Sequence, residues 1–294
     1  MSRPTPEVVT PHLLREWPLT ELQDDKESRG RVLVVAGNRD NPGGALLAAE
    51  AALRVGAGKV QVVTVRSTSA AMGVALPEAM VRGVAETEAG EITVDAADIV
   101  LELAAECEAV LIGPGLGEVS TARDLTARIL PDLDTAVVLD ALAMSAVTED
   151  PGCLEHLQGR AVLTPNLHEL ALTLGWDEDK VDADPREASL RLAARTGVCV
   201  SAGGPVAWTA HPDGRSWRGS VGGPGLGTSG SGDVKAGVVT GLCGRGADPC
   251  QAAVWGSHLH GSAGDRLTAE LGPTGFLARE LAVQIPQVLA ELNA

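Results

Sequence analysis

Small residues fill the run Gly222-Gly223-Pro224-Gly225-Leu226-Gly227-Thr228-Ser229-Gly230-Ser231-Gly232-Asp233, and a single acid closes it. Residues 228–232 carry no bulky side chain, so their backbone N–H groups can turn inward around an anion such as phosphate. A helix starting near Gly232 would aim its positive end at the same anion. Thr228, Gly230, Ser231 and Gly232 are therefore candidate phosphate contacts. Asp233 has two readings. In the first turn of a helix it is a capping acid; beside a phosphate it is a general base that takes a hydroxyl proton during phosphoryl transfer. The run is not a Walker A loop, because no Gly-Lys-Ser/Thr follows the glycines and Lys235 comes after the acid.

A second glycine-rich segment, Gly113-Pro114-Gly115-Leu116-Gly117, lacks the G-x-G-x-x-G spacing of a dinucleotide fingerprint. Structural turn and ligand platform both remain open for it. In Thr164-Pro165-Asn166-Leu167-His168-Glu169, the Asn166 and Glu169 positions have the spacing of a capping box, which accounts for both. His168 is a further candidate ligand contact, and Asp140, at the end of an apolar run, is either a site residue or a helix cap. His258 and His260 are two apart on an expected helix and do not share a face. With no matching carboxylate or cysteine spacing they make no zinc site, so no protein metal ligand is assigned. A Ser-His-Asp hydrolase finds no support, since no G-x-S-x-G elbow follows a strand.

These residues need a scaffold that brings distant loops together. Residues 31–37 read as a β-branched strand stopped by glycine, 45–55 as a helix and 59–65 as a second strand: one βαβ unit. The alternation continues with a strand at 110–112, a helix at 120–130, strands at 136–139 and 161–163, a helix at 167–174 and an apolar run at 198–200. Nearly all-apolar strands imply that both sheet faces are covered. The expectation is an open, doubly wound, mostly parallel α/β sheet with helices on both faces and ligands at the strands' carboxyl ends. Helices are expected at 233–242, despite its glycines, and at 250–269 behind Pro249. Residues 1–25 read as a proline-broken lead-in, with a polar turn region at 24–30, and 26–294 as one domain.

Composition narrows the function. A formal charge of -16 argues against nucleic-acid or anionic-membrane partners, though a local nest of N–H groups can still hold a nucleotide's phosphate. The 5 cysteines never fall in C-x-x-C spacing and read as buried thiols of a reducing cytoplasm. No signal-peptide core or membrane-spanning stretch is visible.

The ordered set of motifs resembles the ADP/ATP-dependent NAD(P)H-hydrate dehydratases, which have a ribokinase-like fold. The resemblance runs from about residue 26 to 289, through Gly43-Gly44-Ala45-Leu46-Leu47-Ala48, Arg54-Val55-Gly56-Ala57-Gly58, residues 113–117, Asp140-Ala141-Leu142-Ala143, Thr164-Pro165 with Glu169, and Gly230-Ser231-Gly232-Asp233 with Ala236-Gly237. It implies a lyase that repairs hydrated NADH or NADPH: ADP, or ATP in its place, with Mg2+, phosphorylates the hydrate's hydroxyl, and phosphate is then eliminated. Carried over by motif, Ala45, Gly115, Gly117, Asn166 and Asp233 would meet the hydrate. Ser201, Ala202, Gly203 and Gly204 would join Thr228, Gly230, Ser231 and Gly232 around the nucleotide, with Asp233 as base. Asp140, His168 and Glu169 are further site candidates.

Three positions depart from the family pattern. Asn166 stands where the family has a ligand-contacting histidine, with His168 displaced by two residues. Val200-Ser201-Ala202-Gly203-Gly204 replaces a strand followed by Lys-Gly, which removes a phosphate-contacting lysine. Arg39-Asp40-Asn41-Pro42 replaces a tyrosine-containing first loop. The resemblance further implies a homo-oligomer, with a tetramer expected, and a separate NAD(P)H-hydrate epimerase, since this chain has no room for the epimerase domain that many relatives carry. Two competing readings share the glycine-rich site: a ribokinase-like kinase of a vitamin-precursor alcohol, and a non-enzymatic nucleotide sensor or degenerate partner.

Overall fold

Strands built from valine, leucine and isoleucine on both faces stay out of water only when helices cover both sides. The computed structural model, which describes residues 4–21 and 25–292, has this arrangement. Residues 1–3, the start of the lead-in, residue 24 of the expected polar turn and residues 293–294 lie outside the described residues. In chain order the strands are β1 (Glu7–Val8), β2 (Arg31–Val35), β3 (Lys59–Val65), β4 (Met80–Val84), β5 (Ala109–Ile112), β6 (Ala136–Leu139), β7 (Ala161–Leu163), β8 (Cys199–Ala202), β9 (Trp208–Ala210) and β10 (Ser216–Arg218). The helices are α1 (Pro11–Glu16), α2 (Gly43–Arg54), α3 (Arg66–Ala75), α4 (Ala97–Ala104), α5 (Val119–Ile129), α6 (Met144–Glu149), α7 (Leu167–Leu174), α8 (Glu178–Ala183), α9 (Pro185–Thr196), α10 (Ser231–Gly244), α11 (Pro249–Leu271) and α12 (Ala278–Leu292).

One 10-stranded sheet runs in the order β1-β10-β9-β8-β7-β6-β5-β2-β3-β4. Its pairs are parallel except β8–β9 and β9–β10. Alternate strand residues divide between two cores. Val32, Val34, Val62, Leu111 and Val138 pack with α2, α10, α11 and α12, whereas Leu33, Val35, Val63, Ile112 and Leu139 pack with α4, α5, α6, α7 and α9. The expected fold class is the one observed.

Strand β2 bonds to β3 on one side and to β5 on the other. The chain leaves β2 toward β3 and β4, then crosses back to β5. Loops after β2 and β5 therefore depart in opposite directions and leave a crevice at the sheet's carboxyl end.

Several boundaries differ from expectation. The strand expected at 31–37 ends at Val35, because Gly37 takes a φ of +76° and turns the chain. The helix expected at 233–242 begins at Ser231, with Gly230 in the left-handed region before it. The lead-in contributes β1 at the sheet edge, paired with β10. Trp17 stacks on Trp217 at 5.7 Å, and its carbonyl accepts from Trp255 Nε1 (2.9 Å).

Helix α10 is buried over nearly its whole length. Its glycines are where α2 crosses. A Cβ at Gly237 would fall inside contact distance of the Ala48 carbonyl oxygen, and one at Gly241 would lie 2.8 Å from the Ala52 carbonyl oxygen. Glycine's helix penalty, about 1 kcal/mol, is outweighed here by close backbone approach. Gly237→Ala is expected to destabilise the protein by about 1–3 kcal/mol through overpacking, despite alanine's better propensity. Thermal unfolding checks this; an unchanged midpoint would show that the two helices can separate freely.

Candidate active site

Glycine at 37, 44, 113, 115 and 117 lets the crevice loops interlock. A Cβ at Gly44 would lie 2.7 Å from Gly115 N, and one at Gly115 2.6 Å from the Asn41 carbonyl oxygen. Gly37 N–H donates to the Pro114 carbonyl (2.7 Å). A buried carboxylate ties the same loops: Glu91 accepts from Asn38 Nδ2 (2.7 Å) and from the Gly117 N–H (3.0 Å). Residues 113–117 are thus a structural brace whatever else they do. Ala45 is fully buried beneath Gly37, Gly115 is buried behind the brace, and Gly117 is exposed.

Asp140 follows β6 and is buried, accepting from Thr164 Oγ1 (2.7 Å) at the end of β7. It caps no helix through its side chain. Ala141, next to it, has a φ of +47°, the one non-glycine positive value among the described residues. Such backbone is disfavoured for any residue with a Cβ, and held strain of this kind gathers at functional sites.

At the start of α7 the expected capping box is present: Asn166 Oδ1 accepts from the Glu169 N–H (2.8 Å), and Glu169 Oε2 from the Asn166 N–H (2.9 Å). Burial pushes the Glu169 carboxyl up, and the Asn166 N–H pulls it back. His168 points elsewhere, pairing through Nδ1 with Glu178 at 2.7 Å on the surface.

Ser201 and Ala202 are the last residues of β8, both buried; Ser201 Oγ meets Ser257 Oγ at 2.9 Å. Gly204 forms the exposed part of the turn, with Gly203, half-buried, donating from its N–H to the Pro165 carbonyl (2.8 Å).

The start of α10 completes the site. Ser231 Oγ and His260 Nε2 share a hydrogen bond at 2.9 Å; burial pushes that imidazole down to about 3, so it is neutral. Among the described residues no protein acceptor meets the N–H groups of Gly232 and Asp233. A Cβ at Gly232 would meet nothing within 4 Å, and its φ is not positive. Neither packing nor conformation calls for glycine there, whereas close approach of a ligand does.

The Asp233 carboxylate accepts no hydrogen bond among the described residues, so the capping reading has no bond to rest on. Burial, then Glu169, pushes Asp233 up to about 6; burial, then Asp233, pushes Asp140 up to about 7. Asp140, Glu169 and Asp233 therefore share one region beside two free N–H donors. The arrangement can hold an anion and remove a proton next to it.

Sequence reading missed Glu91 and Lys235. Lys235 is buried, and its Nζ donates to the Ser201 carbonyl (2.7 Å). A lone charge inside the apolar run 234–242 was the available signal for it; Glu91 left none.

Comparison with known proteins agrees with this geometry. A family model described as NAD(P)H-hydrate dehydratase matches residues 32–287. The chain is 40% identical over 292 residues, 99% of each chain, to an ADP-dependent (S)-NAD(P)H-hydrate dehydratase from Xanthomonas campestris pv. campestris. It is 36% identical over 278 residues to a bifunctional NAD(P)H-hydrate repair enzyme from Moorella thermoacetica, matching 95% of this chain and spanning 52% of that enzyme. A solved ADP/ATP-dependent NAD(P)H-hydrate dehydratase from Bacillus subtilis, co-crystallised with ATP and Mg2+, superposes with a TM-score of 0.79 at 26% identity, over 97% of this chain and 98% of that one.

Proposed function

This chain belongs to the NAD(P)H-hydrate dehydratase family, and we propose that it uses ADP to return (S)-NADH hydrate or (S)-NADPH hydrate to the working cofactor. The observation that carries the reading is Asp233, a carboxylate with no partner among the described residues, beside two N–H groups equally free at a helix N-terminus. Hydroxide is a poor leaving group at neutral pH and phosphate a good one. The hydrate's hydroxyl oxygen attacks the terminal phosphorus of ADP, its proton passes to Asp233, and AMP departs. The C–O bond then breaks, phosphate leaves with the electron pair and takes up the proton lost from the adjacent ring carbon as the double bond re-forms. Hydrate and ADP give the reduced cofactor, AMP, phosphate and the proton that Asp233 passes to solvent.

The Gly232 and Asp233 N–H groups are the donors for the transferred phosphoryl. A nucleotide-borne Mg2+ fits this corner, because the buried Asp140 carboxyl has no ion-pair partner among the described residues. Asp140 would hold it together with the phosphates, leaving Asp233 free to take the proton, and the ion would neutralise charge built up in the transfer. Ala45, Gly115, Gly117 and Asn166 stand on the hydrate side, and Gly203, Gly204, Thr228 and Gly230 on the nucleotide side.

The test is absorbance of NADH formed from its hydrate with ADP, with ATP and with no nucleotide. Nucleotide-dependent NADH formation is expected. A stable phosphorylated product without NADH would favour a small-molecule kinase, and binding without turnover a sensor. Asn166→Ala is expected to lower turnover more than His168→Ala, since His168 is engaged with Glu178 at the surface. The opposite ranking, measured in the same assay, would give the histidine the ligand role.

The functional assembly in this reading is a homo-oligomer, with a tetramer the expected form, and a separate epimerase supplies the (S) epimer. All 5 cysteines are free, which supports a cytoplasmic location. No described helix is long and apolar enough to cross a membrane.

A further inference from the structure

Charged side chains are seldom buried unless a group of opposite charge meets them. Lys235 departs from that rule. It is 6% exposed, and its one hydrogen-bond partner among the described residues is the neutral Ser201 carbonyl, 2.7 Å from Nζ. An ammonium has three N–H donors, so two are left over. No carboxylate lies within ion-pair distance of it among the described residues.

Its surroundings show where those donors can act. Strand β8 contributes the Ser201 carbonyl and the Cys199 thiol, the turn after β6 contributes Asp140, and α11 contributes His260. Lys235 lies on the same end of α10 as the free N–H groups of Gly232 and Asp233. It anchors to the strand that feeds the turn at Gly203 and Gly204, a turn with no cationic side chain of its own. A Cβ at Gly203 would meet only the Pro165 carbonyl oxygen, at 3.9 Å, so space is open beside that turn, two residues beyond the ammonium's anchor.

We propose that Lys235 is a phosphate-contacting cation of the nucleotide site, supplying from α10 the positive charge that the turn after β8 lacks; this rests on the functional reading above. The ligand class is a nucleoside diphosphate or triphosphate. The helix supplies backbone donors to one part of the phosphate chain and Lys235 a point charge to another.

The test compares ADP and adenosine binding by wild type and Lys235→Met, a change that keeps length and removes charge. ADP affinity is expected to fall about tenfold to hundredfold, as for loss of a charge-assisted hydrogen bond, with adenosine affinity unchanged. A folded variant with wild-type ADP affinity would overturn the inference. Wild type alone gives a second reading that does not depend on the variant folding. The 13Cε resonance of Lys235, one of 4 lysines in the chain, should shift when ADP is added and stay in place when adenosine is added. A resonance that ADP leaves unmoved would refute the role. Wild type that binds no ADP at all removes both this inference and the functional reading, whereas an unaltered Lys235→Met beside an active wild type removes the inference alone.

Discussion

Asp233→Asn should lower nucleotide-driven NADH formation by about 10²–10⁴-fold, the usual contribution of a general base. The substitution keeps the size of the side chain and removes its basicity. Nucleotide affinity should change far less, and a gain is consistent with removing a negative charge from beside the phosphates. Stability supplies an independent reading. Asp233 titrates at about 6 in the fold against an ordinary 3.8, because burial and Glu169 penalise its charged form. A raised carboxyl stabilises the fold while it is neutral, and that contribution is lost as pH rises through about 6. At neutral pH the variant should therefore unfold at or above the wild-type temperature. A helix cap would behave in the opposite way, losing about 0.5–2 kcal/mol with activity kept. Wild-type turnover should fall as pH drops through about 6, where the base takes up its proton. Near-normal turnover of the variant at saturating ADP would remove Asp233 from the chemistry.

Gly232→Val should weaken ADP binding by about tenfold or more, equivalent to losing one good phosphate hydrogen bond. The fold has room for a Cβ at this position: no atom of the described residues lies within 4 Å of it. A branched side chain would occupy the space in front of the Gly232 and Asp233 N–H groups, leaving the helix packed as before. Thermal unfolding close to wild type, with ADP titration shifted, is the expected pair of results. Unchanged ADP affinity would move the phosphate site away from the start of α10.

The order of the main elements was legible because buried parallel strands announce themselves. Residues 136–139 and 161–163 are wholly apolar runs and 59–65 is rich in valine, and their bounds coincide with β3, β6 and β7. The sheet's margins were less readable. Strand β4 alternates exposed and half-buried residues and includes Gly83, while β9 and β10 span 3 residues each. So short a strand owes its existence to its neighbour rather than to its own sequence. In the site, Asp233, Gly232 and the capping box stood out because each belongs to a local pattern. Glu91, Lys235 and His260 did not, because their partners are distant in the chain: 26 and 53 residues for Glu91, 34 for Lys235 and 29 for His260. Folding alone brings such pairs together, and no spacing rule encodes them.

The seam between α10 and α2 has a genetic consequence. When two side chains collide, a mutation in one can be repaired by shrinking the other. At Gly237 the colliding group on α2 is the main chain of Ala48, its carbonyl and Cα, which no substitution can trim. Damage at this position would then have no suppressor on the facing helix, and selection for recovered activity should return the original glycine or changes that reinforce the fold elsewhere. Because the start of α10 and the start of α2 border the two halves of the crevice, the seam also ties the drift of one half to that of the other.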